Sequence, residues 1–123
     1  MGKGGRQWMR HDNYCCYCGR QIIWPLYHTW EHIIPKSKGG SDHGKNKRTC
    51  CNQCNKYRGN RDLNEWKEEL LGLIAKGWDY KTFKTSDMEI MVVNIENIQQ
   101  AVATASPDMF QPHLRQKLFK NSD

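Results

Sequence analysis

Residues 15–60 read "CCYCGRQIIWPLYHTWEHIIPKSKGGSDHGKNKRTCCNQCNKYRGN" and contain all six cysteines of the chain together with three of its five histidines. Cys15 and Cys18 are separated by two residues, and so are Cys51 and Cys54. On a turn or the first turn of a helix, that spacing aims both sulfurs of a pair at one centre. Two such pairs suit a tetrahedral zinc, whose thiolates lie ~2.3 Å from the metal. Four thiolates fill the coordination sphere, so this zinc is expected to fold the chain and to take no part in chemistry. A disulfide pair or a redox role is the alternative. Cys16 and Cys50, one beside each pair, read as buried or half-exposed bystanders. The gap between the pairs exceeds that of a small zinc finger, so a real structure must lie between them.

Outward from this stretch, composition sets the bounds. The chain has 123 residues, 37% of them hydrophobic, and a mean hydropathy of −0.89. A chain this short and polar commonly adds a metal or disulfides to its apolar burial. Its first residues, "MGKGGRQWMR", hold no apolar stretch suited to a signal peptide and no Ser or Thr suited to myristoylation. The longest apolar run, "IMVV", is far too short to cross a bilayer. These features lead us to expect an intracellular protein with reduced thiols and no membrane partner. The net charge of +6 is unevenly spread. Residues 1–61 carry 12 Lys and Arg against 3 Asp and Glu, or +9, and residues 62–123 carry 7 against 10, or −3. The N-terminal half is therefore the one suited to a polyanion, nucleic acid above all.

Residues 1–13 read as a basic flexible arm, with Trp8 against the body. "YHTWEHII" is the strongest strand signal, "PKSKGGSDHGK" a polar loop bending at its glycines, "NKRTC" a returning strand and "CNQCNKYR" the opening of a helix. Asp62 and Glu65 form a capping box, and Gly77 stops the helix they open. Leu63, Trp66, Leu70, Leu73 and Ile74 line its apolar face. Ser86 and Glu89 suggest a second capping box, ahead of the stripe Met91, Ile95, Ile98 and Val102. A short terminal helix is expected over His113–Lys120, with Pro112 in its first turn. Trp24, Tyr27 and Trp30 are expected to pack the small core, with base stacking as the alternative. His28 suits packing or phosphate contact, and His43 a solvated loop.

Between the cysteine pairs, "CCYCG", "EHIIPKSKGG", "KNKRTC" and "CNQCNKYRGN" follow one another in an order and spacing that resemble the HNH endonucleases, in the branch with a four-cysteine zinc site. The resemblance covers residues 14–60. It implies an α+β fold: a small ββα-metal module over residues 14–61, stapled by the zinc, with residues 62–123 as a helical extension. It implies His32 as the general base that activates water, a role suited to an imidazole that titrates near pH ~6.5. Asn46 would orient that histidine through its backbone or ring. Glu31 and Asn55 would hold a catalytic Mg²⁺ or Mn²⁺, and Arg58 would grip a phosphate. Two positions depart from the family pattern. Glu31 stands where the usual carboxylate is Asp, and Asn55 stands where many relatives carry His, which favours a hard, oxygen-preferring cation.

The resulting expectation is a metal-dependent DNA endonuclease or nickase that leaves a 5′-phosphate and a 3′-hydroxyl. Lys36, Lys38, Lys47 and Arg48 would join Arg58 as phosphate contacts, giving salt-sensitive and largely sequence-tolerant binding. The helical extension would cover the module, dimerise or dock a protein partner, such as phage packaging machinery in a phage-encoded protein. The rival expectation is a zinc-stabilised nucleic-acid-binding module weakened in catalysis.

Overall fold

The computed structural model describes residues 13–103 and 107–114. The expected basic arm, Trp8 included, lies outside them apart from its last residue. Two five-residue strands, β1 (His28–His32) and β2 (Lys47–Cys51), pair antiparallel with Glu31 opposite Arg48 and His32 opposite Lys47. Helix α1 (Asn52–Arg58) follows β2 directly, with the Cys51 side chain capping it by accepting from the Cys54 N–H. The strand "YHTWEHII" ends earlier than its β-branched tail suggests. Ile33 instead donates its N–H to the Asn46 carbonyl, 2.8 Å away, and the chain turns into the polar loop.

Helix α2 (Leu63–Lys76) opens on the expected capping box. Asp62 accepts from the Glu65 N–H at 2.8 Å, and Glu65 accepts from the Asp62 N–H at 3.0 Å. Gly77 closes it in the left-handed region at φ 72°, a conformation that costs glycine little. Helix α3 (Thr85–Ala103) begins differently from the Ser86–Glu89 box. It starts two residues earlier than a Ser86 cap would place it, and Asp87 accepts the Lys84 N–H at 2.8 Å while Arg20 holds the same carboxylate at 3.2 Å. The tertiary salt bridge fixes which acid reaches back, and spacing alone does not reveal it.

One apolar core runs through the described residues. Leu63, Trp66 and Leu70 of α2 and Met88, Met91, Val92 and Ile95 of α3 pack with Tyr17, Ile22, Ile33 and Tyr57. The Trp66 ring sits edge-on to both Tyr17 (4.9 Å between centroids) and Tyr57 (5.5 Å). Asn94 of α3 also donates to the Tyr17 carbonyl at 2.6 Å. These contacts leave no room in the core for the aromatic residues assigned to it from "IIWPLYHTW". Trp24 is 86% exposed, Tyr27 and Ile23 are also exposed, and Trp30 is half-buried. Tyr17, Tyr57 and Trp66 fill the space instead. No helix among the described residues is long and apolar enough to cross a membrane.

Past α3, a 3₁₀ turn at Pro107–Met109 lies across the glycine loop. Gly40 bridges to Phe110, the Ser41 N–H donates to the Met109 carbonyl at 3.0 Å, and the Gln111 N–H donates to the Gly39 carbonyl at 2.9 Å. A helical turn starts at Pro112 as expected, and the remainder of the terminal helix lies outside the described residues. Trp66 is fully buried, and its indole N–H meets no acceptor among the described residues. Replacing it by Ala should therefore cost about 3–5 kcal/mol of unfolding free energy, as for other buried large-to-small changes. Trp66→Phe should cost much less, because most of the buried ring is kept and no hydrogen bond is lost; urea denaturation followed by circular dichroism measures both.

Candidate active site and metal centre

Cys15, Cys18, Cys51 and Cys54 are all buried, and their sulfurs lie within 4.8 Å of one another. A tetrahedron with ligands at ~2.3 Å has sulfur–sulfur edges of about 3.8 Å, and the Cys18–Cys51 separation is 3.8 Å. The Tyr17 N–H points at the Cys15 sulfur and the Cys54 N–H at the Cys51 sulfur, each at 3.3 Å. Such donors favour thiolate over thiol. Four converging thiolates fit zinc and close its coordination sphere. None of the six cysteines is joined in a disulfide. Cys50 is buried and turns its hydrogen to the Cys51 carbonyl at 3.3 Å, and Cys16 is half-buried, so both sit beside the metal centre and outside the ligand set.

On β1 successive side chains alternate between faces. Glu31 points inward and is 5% exposed, and His32 turns outward at the strand's end. The Glu31 carboxylate meets the Arg58 guanidinium in a buried ion pair, and Tyr17 Oη donates to the same oxygen, Oε2, at 3.2 Å. Burial pushes the Glu31 carboxyl up, and Arg58 and Tyr17 draw it back. Arg58 itself is 1% exposed. It also donates to Tyr17 Oη (3.0 Å) and to the carbonyls of His32 (3.0 Å), Ile33 (3.0 Å) and Arg61 (2.8 Å). Its placement corrects the phosphate role expected of it. The guanidinium faces the interior with its donors engaged, because β1 delivers a carboxylate into the core that needs a partner.

Asn46 is fully buried and clamps the loop. Its Nδ2 donates to the carbonyls of Ile34 (3.0 Å) and Ser41 (2.9 Å), and its Oδ1 accepts from the Ile34 N–H (2.8 Å). It therefore fixes the backbone just after His32, and the ring has a different partner. His32 Nε2 lies 2.8 Å from Asp42 Oδ1, and Lys36 Nζ lies 2.9 Å from Asp42 Oδ2. The hydrogen bond from His32, then that from Lys36, holds the Asp42 carboxyl down at about 2. Asp42 and Tyr17 are the two residues that the sequence reading missed. The polar "GGSDHG" gave only the signal of a loop, and Tyr17 lay hidden inside the cysteine knuckle.

Glu31, His32, Asn55, Arg58 and Lys36 line one cleft of about 210 Å³, so the three residues expected to act on a phosphate do share a site. Asn55, half-buried on α1, faces the cleft one turn before Arg58. Lys36 and Lys38 are exposed on a 3₁₀ turn, Lys47 is half-buried across from His32, and Arg48 folds onto the carbonyls of Lys45 (3.3 Å) and Lys47 (2.9 Å). His43 stays exposed, and its Nδ1 caps a turn by accepting from the Lys45 N–H at 3.1 Å.

With this geometry in hand, comparison with known families is specific. The family model described as HNH endonuclease matches residues 15–71. Residues 15–71 are thus similar to an HNH endonuclease domain. The match takes in both cysteine pairs, the ββα unit and most of α2, so Trp66 and Leu70 fall inside the domain. Among solved structures, the Type II-C Cas9 enzyme from Actinomyces naeslundii is similar at 22% identity and a TM-score of 0.39, over 68% of this chain and 10% of that one. The chain thus aligns with about a tenth of that enzyme's length. No curated protein matches the chain.

The metal centre predicts that metal analysis of the purified protein returns one tightly bound zinc per chain. Cys51→Ser should lose the zinc and unfold or aggregate, because it removes a thiolate ligand while the serine hydroxyl can still cap α1; a folded, zinc-free variant would contradict the assignment. The buried pair predicts that Arg58→Ala costs about 3–5 kcal/mol, since the buried Glu31 carboxyl loses its counter-charge and keeps only the Tyr17 hydroxyl. Replacing the pair together, as Glu31→Leu with Arg58→Met, should recover much of that loss in the same denaturation experiment.

Proposed function

We propose that the chain is a metal-dependent DNA endonuclease or nickase, with His32 as general base and Glu31 and Asn55 as ligands of a catalytic cation. The observation that carries this reading is the shared cleft, in which an imidazole, a carboxylate and an amide converge beside Lys36 on an HNH domain. Glu31 Oε1, which neither Arg58 nor Tyr17 uses, and the Asn55 side-chain oxygen form an all-oxygen donor set. Such a set suits Mg²⁺ or Mn²⁺, which keep waters and bind through one or two protein oxygens plus substrate phosphate. The bound cation supplies charge neutralisation on the scissile phosphate. His32 removes a proton from the attacking water, and the hydroxide forms a bond to phosphorus. The bond to the 3′ oxygen breaks, leaving a 5′-phosphate and a 3′-hydroxyl once that oxygen gains a proton from solvent. Lys36, Lys38, Lys47 and the wider basic N-terminal half neutralise backbone phosphates, so binding is salt-sensitive and mainly sequence-tolerant.

A second reading, a nucleic-acid-binding module with weakened catalysis, draws on the burial of Glu31 and its ion pair with Arg58. Supercoiled-plasmid relaxation separates the two. The nuclease reading expects nicking in Mg²⁺ or Mn²⁺ that stops with chelator, and a loss of about 100-fold or more in His32→Ala, with zinc content and circular dichroism unchanged. Binding of DNA by the unmutated protein without nicking in either metal would decide for the module.

A further inference from the structure

We propose that Asp42 is a positioning residue for His32, fixing the ring so that Nδ1 is the nitrogen that receives the proton from water. The inference rests on the nuclease reading and adds a residue to it. An ionised carboxylate only accepts hydrogen bonds. The 2.8 Å contact between Asp42 Oδ1 and His32 Nε2 therefore requires a ring hydrogen on Nε2, and in the neutral ring that leaves the Nδ1 lone pair free. When Nδ1 takes up a proton, the positive charge spreads over the ring and faces the Asp42 carboxylate. The proton then passes from the imidazolium to solvent, and the ring returns to its starting tautomer.

Asp42 is 61% exposed, and an exposed pair in water is weak unless its geometry is held. Three constraints hold it. Lys36 occupies its second oxygen at 2.9 Å, which turns the carboxylate edge toward His32. The loop is fastened from within by Asn46, through the carbonyls of Ile34 and Ser41. From outside, residues 107–114 brace it: Ser41 bonds to Met109 through its N–H and to Asp108 through its hydroxyl, and Gln111 Nε2 reaches the carbonyls of Lys36 (3.1 Å) and Gly40 (3.2 Å). Gly40 has no alternative at this crossing, since a Cβ there would lie 1.7 Å from the Ile34 carbonyl oxygen. A short polar loop is thereby presented as a rigid support, which a positioning carboxylate needs.

The test combines nitrogen-15 NMR of the His32 ring with steady-state nicking, on the zinc-loaded full chain and its Asp42→Ala variant. His32 signals are assigned by their loss in His32→Ala. In the unmutated protein the ring should hold the Nε2–H tautomer, and in Asp42→Ala it should become a mixture. In the same variant kcat should fall about tenfold while KM stays within about twofold, the signature of a group acting in the chemical step. Asp42→Glu should restore part of the rate, and Lys36→Ala, which frees the second oxygen of Asp42, should move the ring part of the way toward the mixture seen in Asp42→Ala. An Nε2-bare ring in the unmutated protein would overturn the proposal. So would ring signals identical in Asp42→Ala, or an unchanged kcat there when His32→Ala is inactive. If the unmutated protein does not nick at all, the nuclease reading fails, and the ring signals still decide whether Asp42 sets the tautomer.

Discussion

The Arg58 side chain ties the domain together. Its guanidinium touches the cysteine knuckle through Tyr17 Oη, the inward carboxylate of β1 through Glu31, the end of β1 through the His32 and Ile33 carbonyls, and the exit of α1 through the Arg61 carbonyl. Removing an arginine from water costs several kcal/mol even after the protein relaxes. Such a charge is tolerated only where pairing and hydrogen bonding are nearly complete, and that requirement is strict about geometry. If the knuckle, strand or helix shifted by an ångström, at least one donor would lose its acceptor. The pair therefore contributes more to the uniqueness of this arrangement than to its net stability.

That constraint explains how a strand as short as β1 delivers two adjacent residues to different tasks. Alternation sends Glu31 inward to Arg58 and His32 outward to Asp42, and both still line the same cleft because the strand ends there. The longer side chain at position 31 gains a physical reason. With Oε2 held by Arg58 and Tyr17, a glutamate leaves Oε1 beyond the ion pair, and the proposed cation role would draw on that oxygen.

Much of the fold was legible because its signals are local. Two CxxC pairs, the Asp62–Glu65 box, Gly77 and the apolar faces of α2 and α3 each declare themselves within a few residues, and the structure realises all of them. What escaped depends on partners distant in sequence. Arg58 reads as a surface cation until one knows that Glu31 faces it across the core. The aromatic run around Trp24 reads as core filler until Trp66 is found occupying that space, from a helix that begins after the cysteine-bounded stretch. Asp87 displaced the Ser86–Glu89 box because Arg20 pulls it into a salt bridge. Asp42 was lost because nothing in a polar loop tells which of its residues folds back on a histidine ten positions earlier.

The helical extension belongs in this account as a structural part of the site. α2 supplies the Trp66 ring that packs Tyr17, whose hydroxyl completes the Glu31–Arg58 network, and the family match itself reaches into α2. α3 holds the Tyr17 backbone through Asn94 and, through Asp87, the Arg20 side chain. Beyond α3 the chain returns to brace the glycine loop at residues 39–41. Two faces of the cleft are thus supported from outside the cysteine-bounded stretch: the inner carboxylate from α2, and the loop beside His32 from residues 107–114. A zinc cluster can staple the ends of a ββα unit, but it lies on the knuckle side and exerts no direct hold on that loop. The loop's rigidity has to come from elsewhere: from Asn46 within it, and from the C-terminal segment that braces it from outside.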